Sequence, residues 1–243
     1  MISPSLWDAA TEAAVVLGAQ TLGAWGWWRL RRTPEPAADD ATGWVKPRYR
    51  EVADARMLAG VLAVGGVLAA LALTARPVGL PDVARLPVVM GWAAAAGLGT
   101  VAIGCDLRTT YLPSSLMRPW ALVTAGTVLG CWGVGLVSGA HLAMPVARVV
   151  VCVVAARLVF WGLWRVGGRF GYGDVRLATI LAADAALVSA TTWSSWLVAG
   201  TTTGALWAGI TLTVRRRRPN VLGTAFAYGP SLAIGAWVAL ALS

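Results

Sequence analysis

Eight apolar segments alternate with polar segments along the chain. A membrane-spanning helix needs about 20 predominantly apolar residues, and this length sets the bounds of each segment. The predicted spans are residues 6–28, 57–74, 86–105, 119–138, 145–164, 175–190, 193–214 and 222–242. The pattern predicts an all-α, polytopic membrane protein with about eight transmembrane helices.

Composition supports this class. Hydrophobic residues make up 58% of the 243 residues and charged residues only 13%, whereas about a quarter charged is usual for a soluble domain. The net charge of +9 does not indicate nucleic-acid binding, because most of the basic residues lie between the apolar segments. The three cysteines have no CxxC spacing, so we expect buried thiols and neither a disulfide framework nor a zinc site.

The basic residues also predict the topology. Sixteen of the 20 lie in or next to the loops after spans one, three, five and seven; three lie on the opposite side, and Arg157 lies inside the fifth span. The positive-inside rule therefore places the 16-charge side in the cytoplasm and both termini outside. It also places two acidic residues, Asp106 and Asp174, at the same cytoplasmic membrane face.

These two acids are the candidate chemistry of the chain. A carboxylate at the edge of hydrocarbon is costly to retain. Two carboxylates that share a proton can hydrolyse a peptide, one as the base for water and the other as the acid. Gly171 and Gly173 precede Asp174 and allow positive φ and close approach of a substrate strand. Pro113 should interrupt any helix that continues past Asp106.

Other interpretations of the acids stay open from the residues alone. Each acid could merely cap a helix, or the pair could serve ion coupling in a transporter or an assembly subunit. A serine hydrolase is disfavoured because the one histidine, His141, maps to the opposite side from Ser114 and Ser115. A third membrane acid, Asp184, lies at nearly the same predicted depth as Arg157, so we expect these two residues to form a structural ion pair.

Three segments resemble bacterial type IV prepilin peptidases, which are intramembrane aspartyl proteases with a GxGD motif. Asp106-Leu107-Arg108 with Pro113 looks like the family's D-L-R…P segment, Gly171-Tyr172-Gly173-Asp174-Val175-Arg176-Leu177 looks like the GxGD motif, and Tyr228-Gly229-Pro230-Ser231-Leu232-Ala233 is similar to F-G-P-F-L-A. The resemblance extends over about residues 86–237.

The resemblance implies a multi-pass protease of the bacterial plasma (inner) membrane that removes a basic leader from prepilins or pseudopilins at the cytoplasmic face. Asp106 and Asp174 would be the catalytic pair, and Gly171, Gly173 and Pro113 would shape the site. Water would be the nucleophile, with neither metal nor organic cofactor. The expected partners are the pilin substrates and membrane lipid, with no nucleic acid.

The amino-terminal part departs from the family pattern. Members that also methylate the new amino terminus have a longer first cytoplasmic loop, often with two CxxC pairs, whereas the loop at 29–56 has no cysteine. We therefore expect no methyltransferase activity, and we predict that this loop is a flexible polar connector. The expected division is residues 1–85 for the amino-terminal spans and short loop, and residues 86–243 for the peptidase-like core, within one membrane domain.

Overall fold

A computed structural model describes residues 4–34, 48–139, 141, 143–167, 171–217 and 227–243. Within these ranges the chain is helical and contains no β-strand, which confirms the all-α prediction. The helices are α1 (Pro4–Arg31), α2 (Tyr49–Val52), α3 (Ala55–Ala72), α4 (Arg85–Ala94), α5 (Thr100–Thr109), α6 (Ser114–Val137), α7 (Ala143–Gly167), α8 (Tyr172–Val188), α9 (Ala190–Arg217) and α10 (Gly229–Ala241). A π-helical turn, Ala95–Gly99, joins α4 to α5.

Four helices in the described part of the chain are long and apolar enough to cross a membrane. They cover Ala55–Ala72, Asp82–Thr109, Ser114–Val137 and Ala143–Val166, and the apolar helix Gly229–Ala241 is shorter. The protein is therefore a multi-pass membrane protein by the length and composition of its helices. A helix covers most of each predicted span, but the count of eight transmembrane helices is not confirmed.

Helix α8 shows why hydropathy alone does not settle that count. It has only 17 residues and carries Asp174, Arg176 and Asp184, yet 13 of its residues are buried. It packs against α7, α9, α6 and α10. Because protein encloses α8, the helix needs neither the length nor the uniformly apolar surface of a lipid-facing span.

The segment before α3 is tied to the end of α5. The Trp27 indole donates to the Asp54 carbonyl at 3.1 Å, and Arg108 donates to the Val52 carbonyl at 2.8 Å. Arg108 also forms an ion pair with the Asp54 carboxylate at 3.4 Å. The Met57 N–H, and then the charge of Arg108, hold the pKa of the Asp54 carboxyl below its usual range.

The prediction that residues 29–56 form a flexible connector is therefore wrong at both ends, since residues 29–31 belong to α1 and residues 55–56 to α3. Residues 48–54 form the short helix α2 and its packed exit turn, where Tyr49 and Val52 are buried. Residues 35–47 lie outside the described residues.

Glycines let the amino-terminal helix cross the π-helical turn closely. A Cβ on Gly97 would collide with the Ala19 carbonyl oxygen and lie 3.0 Å from the Gly23 nitrogen. These neighbours are backbone atoms, which cannot rotate away as a side chain can. The close packing of α1 against the π-helical turn therefore requires a residue without a side chain at position 97.

We predict that Gly97→Ala destabilises the protein by about 1–3 kcal/mol, the usual cost of overpacking a close contact. The measurement is thermal unfolding of the purified protein in detergent. Gly126→Ala is the matched control, because a Cβ there meets nothing within 4 Å. Equal unfolding temperatures for the two variants would contradict this packing.

Candidate active site

The two predicted acids meet at one end of the helix bundle. Asp106 lies in the last turn of α5 and Asp174 in the first turn of α8. Both are buried, with 3% and 7% of their surface exposed, and their carboxyl groups interact electrostatically. The structure thus brings together two acids that are far apart in the chain.

Asp106 is held by the start of α10. The Gly229 N–H donates to Asp106 Oδ2 at 3.1 Å, and this bond satisfies one of the N–H groups that a helix start leaves unpaired. A Cβ on Gly229 would lie 2.7 Å from the same oxygen and 3.2 Å from Leu177 Cδ2. Glycine is therefore required here because the carboxylate approaches the backbone.

Asp174 is held within its own motif. The Gly171 N–H donates to Asp174 Oδ2 at 3.1 Å, and the Asp174 N–H donates to the Gly171 carbonyl at 3.0 Å. The helix-capping bond considered from the sequence is therefore present at Asp174. It fixes the side chain while the carboxyl group still interacts with Asp106, so capping and a site role occur together.

The glycines of the GxGD motif allow neighbouring groups to pack closely against the backbone. Gly171 has φ −77°, and Gly173 is not among the positive-φ residues of the described chain. Neither glycine therefore adopts the positive φ that its residue type allows. A Cβ on Gly173 would instead lie 2.9 Å from Leu112 Cβ, so this glycine lets the turn after α5 pack on the start of α8.

Pro113 lies at the other end of that turn. Helix α5 ends at Thr109, and Thr110 follows with φ 58°. Pro113 directly precedes α6, whose first residue is Ser114. The predicted interruption after Asp106 is confirmed, and the left-handed Thr110 ends α5 three residues before the proline.

Two residues beside the acids were not singled out from the sequence as site residues. Gly229 was noted only as part of a family segment, although it donates directly to Asp106. Tyr228, just before it, is buried and interacts electrostatically with Asp174. A Cβ on Gly204 of α9 would collide with the Tyr228 ring, so α9 positions this ring close to the acids.

The predicted Arg157–Asp184 ion pair is wrong. Asp184 is 1% exposed and accepts from the Thr124 hydroxyl of α6 at 3.5 Å. Arg157 lies on the exposed side of α7 and donates to the Tyr172 hydroxyl at 3.2 Å. The two side chains share a predicted depth, but the rotation of α8 directs Asp184 towards α6.

The described residues also contain three cysteines and a cavity that is distant from the acids. Cys105, Cys131 and Cys152 are buried, as expected for thiols that behave as small apolar side chains. A cavity of about 620 Å³ lies at the opposite end of the bundle, beside Glu12 and Arg85, and is not part of the carboxylate site.

The fold and this site define a multi-pass, all-α membrane protein with a buried pair of carboxyl groups at one end. Comparison with curated proteins finds a prepilin leader peptidase/N-methyltransferase of Pseudomonas putida that is 29% identical over 170 residues. The match covers 65% of this chain and 55% of the relative, so the chain spans about half the relative's length. No protein-family model and no solved structure matches. The relative supports the prepilin peptidase family, as the motifs predict.

We predict that Arg157→Ala changes the free energy of unfolding by less than about 1 kcal/mol, since exposed charges contribute little. Breaking a buried ion pair would instead cost about 3–5 kcal/mol. Unfolding in detergent separates these values. The charge-reversed double variant Arg157→Asp/Asp184→Arg should be no more stable than Asp184→Arg alone. A clear gain in stability would show that the two residues do form an ion pair.

Proposed function

We propose that this protein is a membrane aspartyl endopeptidase that removes the leader from prepilins or pseudopilins at the cytoplasmic membrane face. The observation that carries the proposal is the meeting of Asp106 and Asp174. These acids lie 68 positions apart in the chain and interact while buried at one end of the bundle. Burial of two interacting acids is costly, and groups buried at such a cost are found preferentially at functional sites.

The proposed mechanism uses one proton held between the two carboxyl groups. Like charges at close range cannot both ionise readily, so such a pair takes up protons as a unit. The ionised member removes a proton from water, which attacks the scissile carbonyl carbon. The protonated member donates to the carbonyl oxygen, which stabilises the tetrahedral intermediate. The intermediate then collapses with cleavage of the peptide C–N bond: the carboxyl group that took the proton from water gives it to the leaving amine, and the other carboxyl group recovers its proton from a hydroxyl of the intermediate.

The backbone around the acids supports this division of work. Gly229 and Gly171 each donate an N–H to the Oδ2 atom of one carboxyl group. These bonds hold one oxygen of each carboxyl group, and the proposed mechanism uses the other oxygen, Oδ1, to contact water or substrate. Because both carboxyl groups are already oriented before the reaction, they need not be rearranged when charge develops in the transition state, and this lowers the barrier.

The substrate class rests on the family resemblance and on the named relative. A prepilin would enter from the membrane with its basic leader in the cytoplasm, where the predicted topology places both acids. The relative is named as an N-methyltransferase as well as a leader peptidase. We propose that this chain cleaves without methylating, because its first loop lacks the cysteine pairs found in many methylating members.

Either Asp106→Ala or Asp174→Ala should abolish leader cleavage, since each acid has a separate role in proton transfer. Asp106→Asn and Asp174→Asn should fail as well, because an amide cannot exchange the proton. The measurement is the mass of a candidate prepilin co-expressed with each variant, with protein levels checked by immunoblot. Cleavage retained in any of the four variants would refute the two-aspartate site. Added mass from a methyl group on the cut product would refute cleavage without methylation.

Cleavage by purified protein in detergent separates this proposal from ion coupling. A peptidase needs no proton gradient, whereas a transporter or assembly subunit that uses the acids for ion coupling depends on one. We expect cleavage in detergent at a rate insensitive to protonophores. Pseudopilins tested beside type IV prepilins then define which substrate is preferred.

We predict that Gly229→Ala lowers the rate of cleavage by at least about tenfold, because displacement of a catalytic group by even about 1 Å can cost about a hundredfold. The new Cβ would press on Asp106 Oδ2. Gly209→Ala in α9 is the control, since nothing lies within 4 Å of its Cβ. Wild-type rates for both variants would show that Gly229 does not position the carboxyl group.

A further inference from the structure

A basic groove opens between α6 and α7 on the surface of α8. Its cavity has a volume of about 280 Å³ and is lined by residues of all three helices. Helix α8 packs against both α6 and α7, so it forms the floor. The groove lies at the same end of the bundle as the two acids, because Arg118 is in the second turn of α6 and Arg176 in the second turn of α8.

Three arginines line this groove without a carboxylate partner. Arg118, Arg157 and Arg176 are exposed, and the one ion pair within the described residues joins Arg108 to Asp54. Arg157 donates to the neutral Tyr172 hydroxyl at 3.2 Å, and the Arg176 guanidinium lies 4.9 Å from the centre of the same ring. These neutral contacts orient two of the arginines and leave their charge uncompensated.

The remaining surface of the groove is apolar. Ile180 is buried in its floor, and Ala121 and the buried Met117 lie on the α6 side. Leu122 and Leu158, on the two flanking helices, are exposed, as side chains in contact with lipid tails are. A ligand that fits this surface has an anionic head for the arginines and an apolar tail for the groove.

We propose that this groove is a binding site for an anionic phospholipid, with its phosphate on Arg118, Arg157 and Arg176. Guanidinium groups bind phosphate oxygens with charge-assisted, often bidentate hydrogen bonds. Basic pockets between membrane helices on the cytoplasmic side bind acidic headgroups in this way. Nothing in the site requires Asp106 or Asp174, so it stands independently of the proposed peptidase activity.

The groove is next to the GxGD motif through Tyr172. This residue lies between Gly171 and Gly173, its hydroxyl accepts from Arg157, and its ring lies beside Arg176. The Trp164 ring of α7 packs edge-on against it, with ring centroids 5.2 Å apart. A bound headgroup would thus contact two of the side chains that hold the start of α8.

The test is native mass spectrometry of the full chain in a non-ionic detergent. The protein is titrated with phosphatidylglycerol and, separately, with phosphatidylcholine that has the same acyl chains. We expect phosphatidylglycerol adducts at clearly lower lipid concentration. Arg118→Gln should weaken this binding about fivefold, and the triple variant with Arg157→Gln and Arg176→Gln should weaken it by about tenfold or more, as loss of basic contacts to acidic lipid predicts.

The charge-matched control is the triple variant Arg29→Gln/Arg31→Gln/Arg32→Gln at the same end of the bundle. Those arginines lie over Trp25, Trp27 and Trp28 and outside the groove, so we expect their loss to leave phosphatidylglycerol binding within about twofold of wild type. If the triple variant of Arg118, Arg157 and Arg176 misfolds, the single variant Arg118→Gln still tests lipid binding, because Arg118 makes none of the contacts to Tyr172. Circular dichroism checks the fold of each variant.

Several results would overturn the proposal. One is equal affinity for the two lipids, and another is an equal loss of binding in the control triple. Displacement of phosphatidylglycerol by millimolar inorganic phosphate would identify a simple phosphate site. Displacement by a soluble acidic peptide would identify a protein-binding surface instead.

Discussion

The structure depends on the burial of two interacting carboxyl groups at one end of a helix bundle. Water is largely excluded there, so the protein must supply the polar partners that each carboxyl group loses. It does so with backbone N–H groups from Gly171 and Gly229. Helix α10 therefore has to begin beside Asp106, and the GxGD segment has to fold back on Asp174.

Close backbone approach makes this arrangement possible. Gly229 leaves room for a carboxylate oxygen, and Gly173 leaves room for Leu112 after α5. Away from the acids, the Arg108–Asp54 ion pair joins the end of α5 to the segment before α3. Packing and polar contacts at this end thus fix the ends of α5, α8 and α10 together, which gives the acids a defined geometry before any substrate binds.

Hydrophobic segment lengths and the distribution of arginines were sufficient to predict the helices and to place Asp106 and Asp174 at the same end. These patterns could not predict which way each helix is rotated, because rotation depends on packing against neighbours. Asp184 therefore contacts Thr124 rather than Arg157. The enclosure of α8 and the hydrogen bond from Gly229 also depend on tertiary contacts between residues far apart in the chain. Motif spacing indicated that residues near 229 mattered, but not that one backbone N–H holds Asp106.

The most direct test of the account is whether positions 106 and 174 are neighbours in the membrane. Cysteines introduced as Asp106→Cys and Asp174→Cys, with Cys105, Cys131 and Cys152 replaced by alanine, can be treated with a short thiol cross-linker in native membranes. We predict rapid intramolecular cross-linking, detected by the mass of a peptide pair after proteolysis, and none for an otherwise identical 106–184 pair. Failure of 106 and 174 to cross-link, with both thiols shown to react separately, would contradict a single two-carboxylate site.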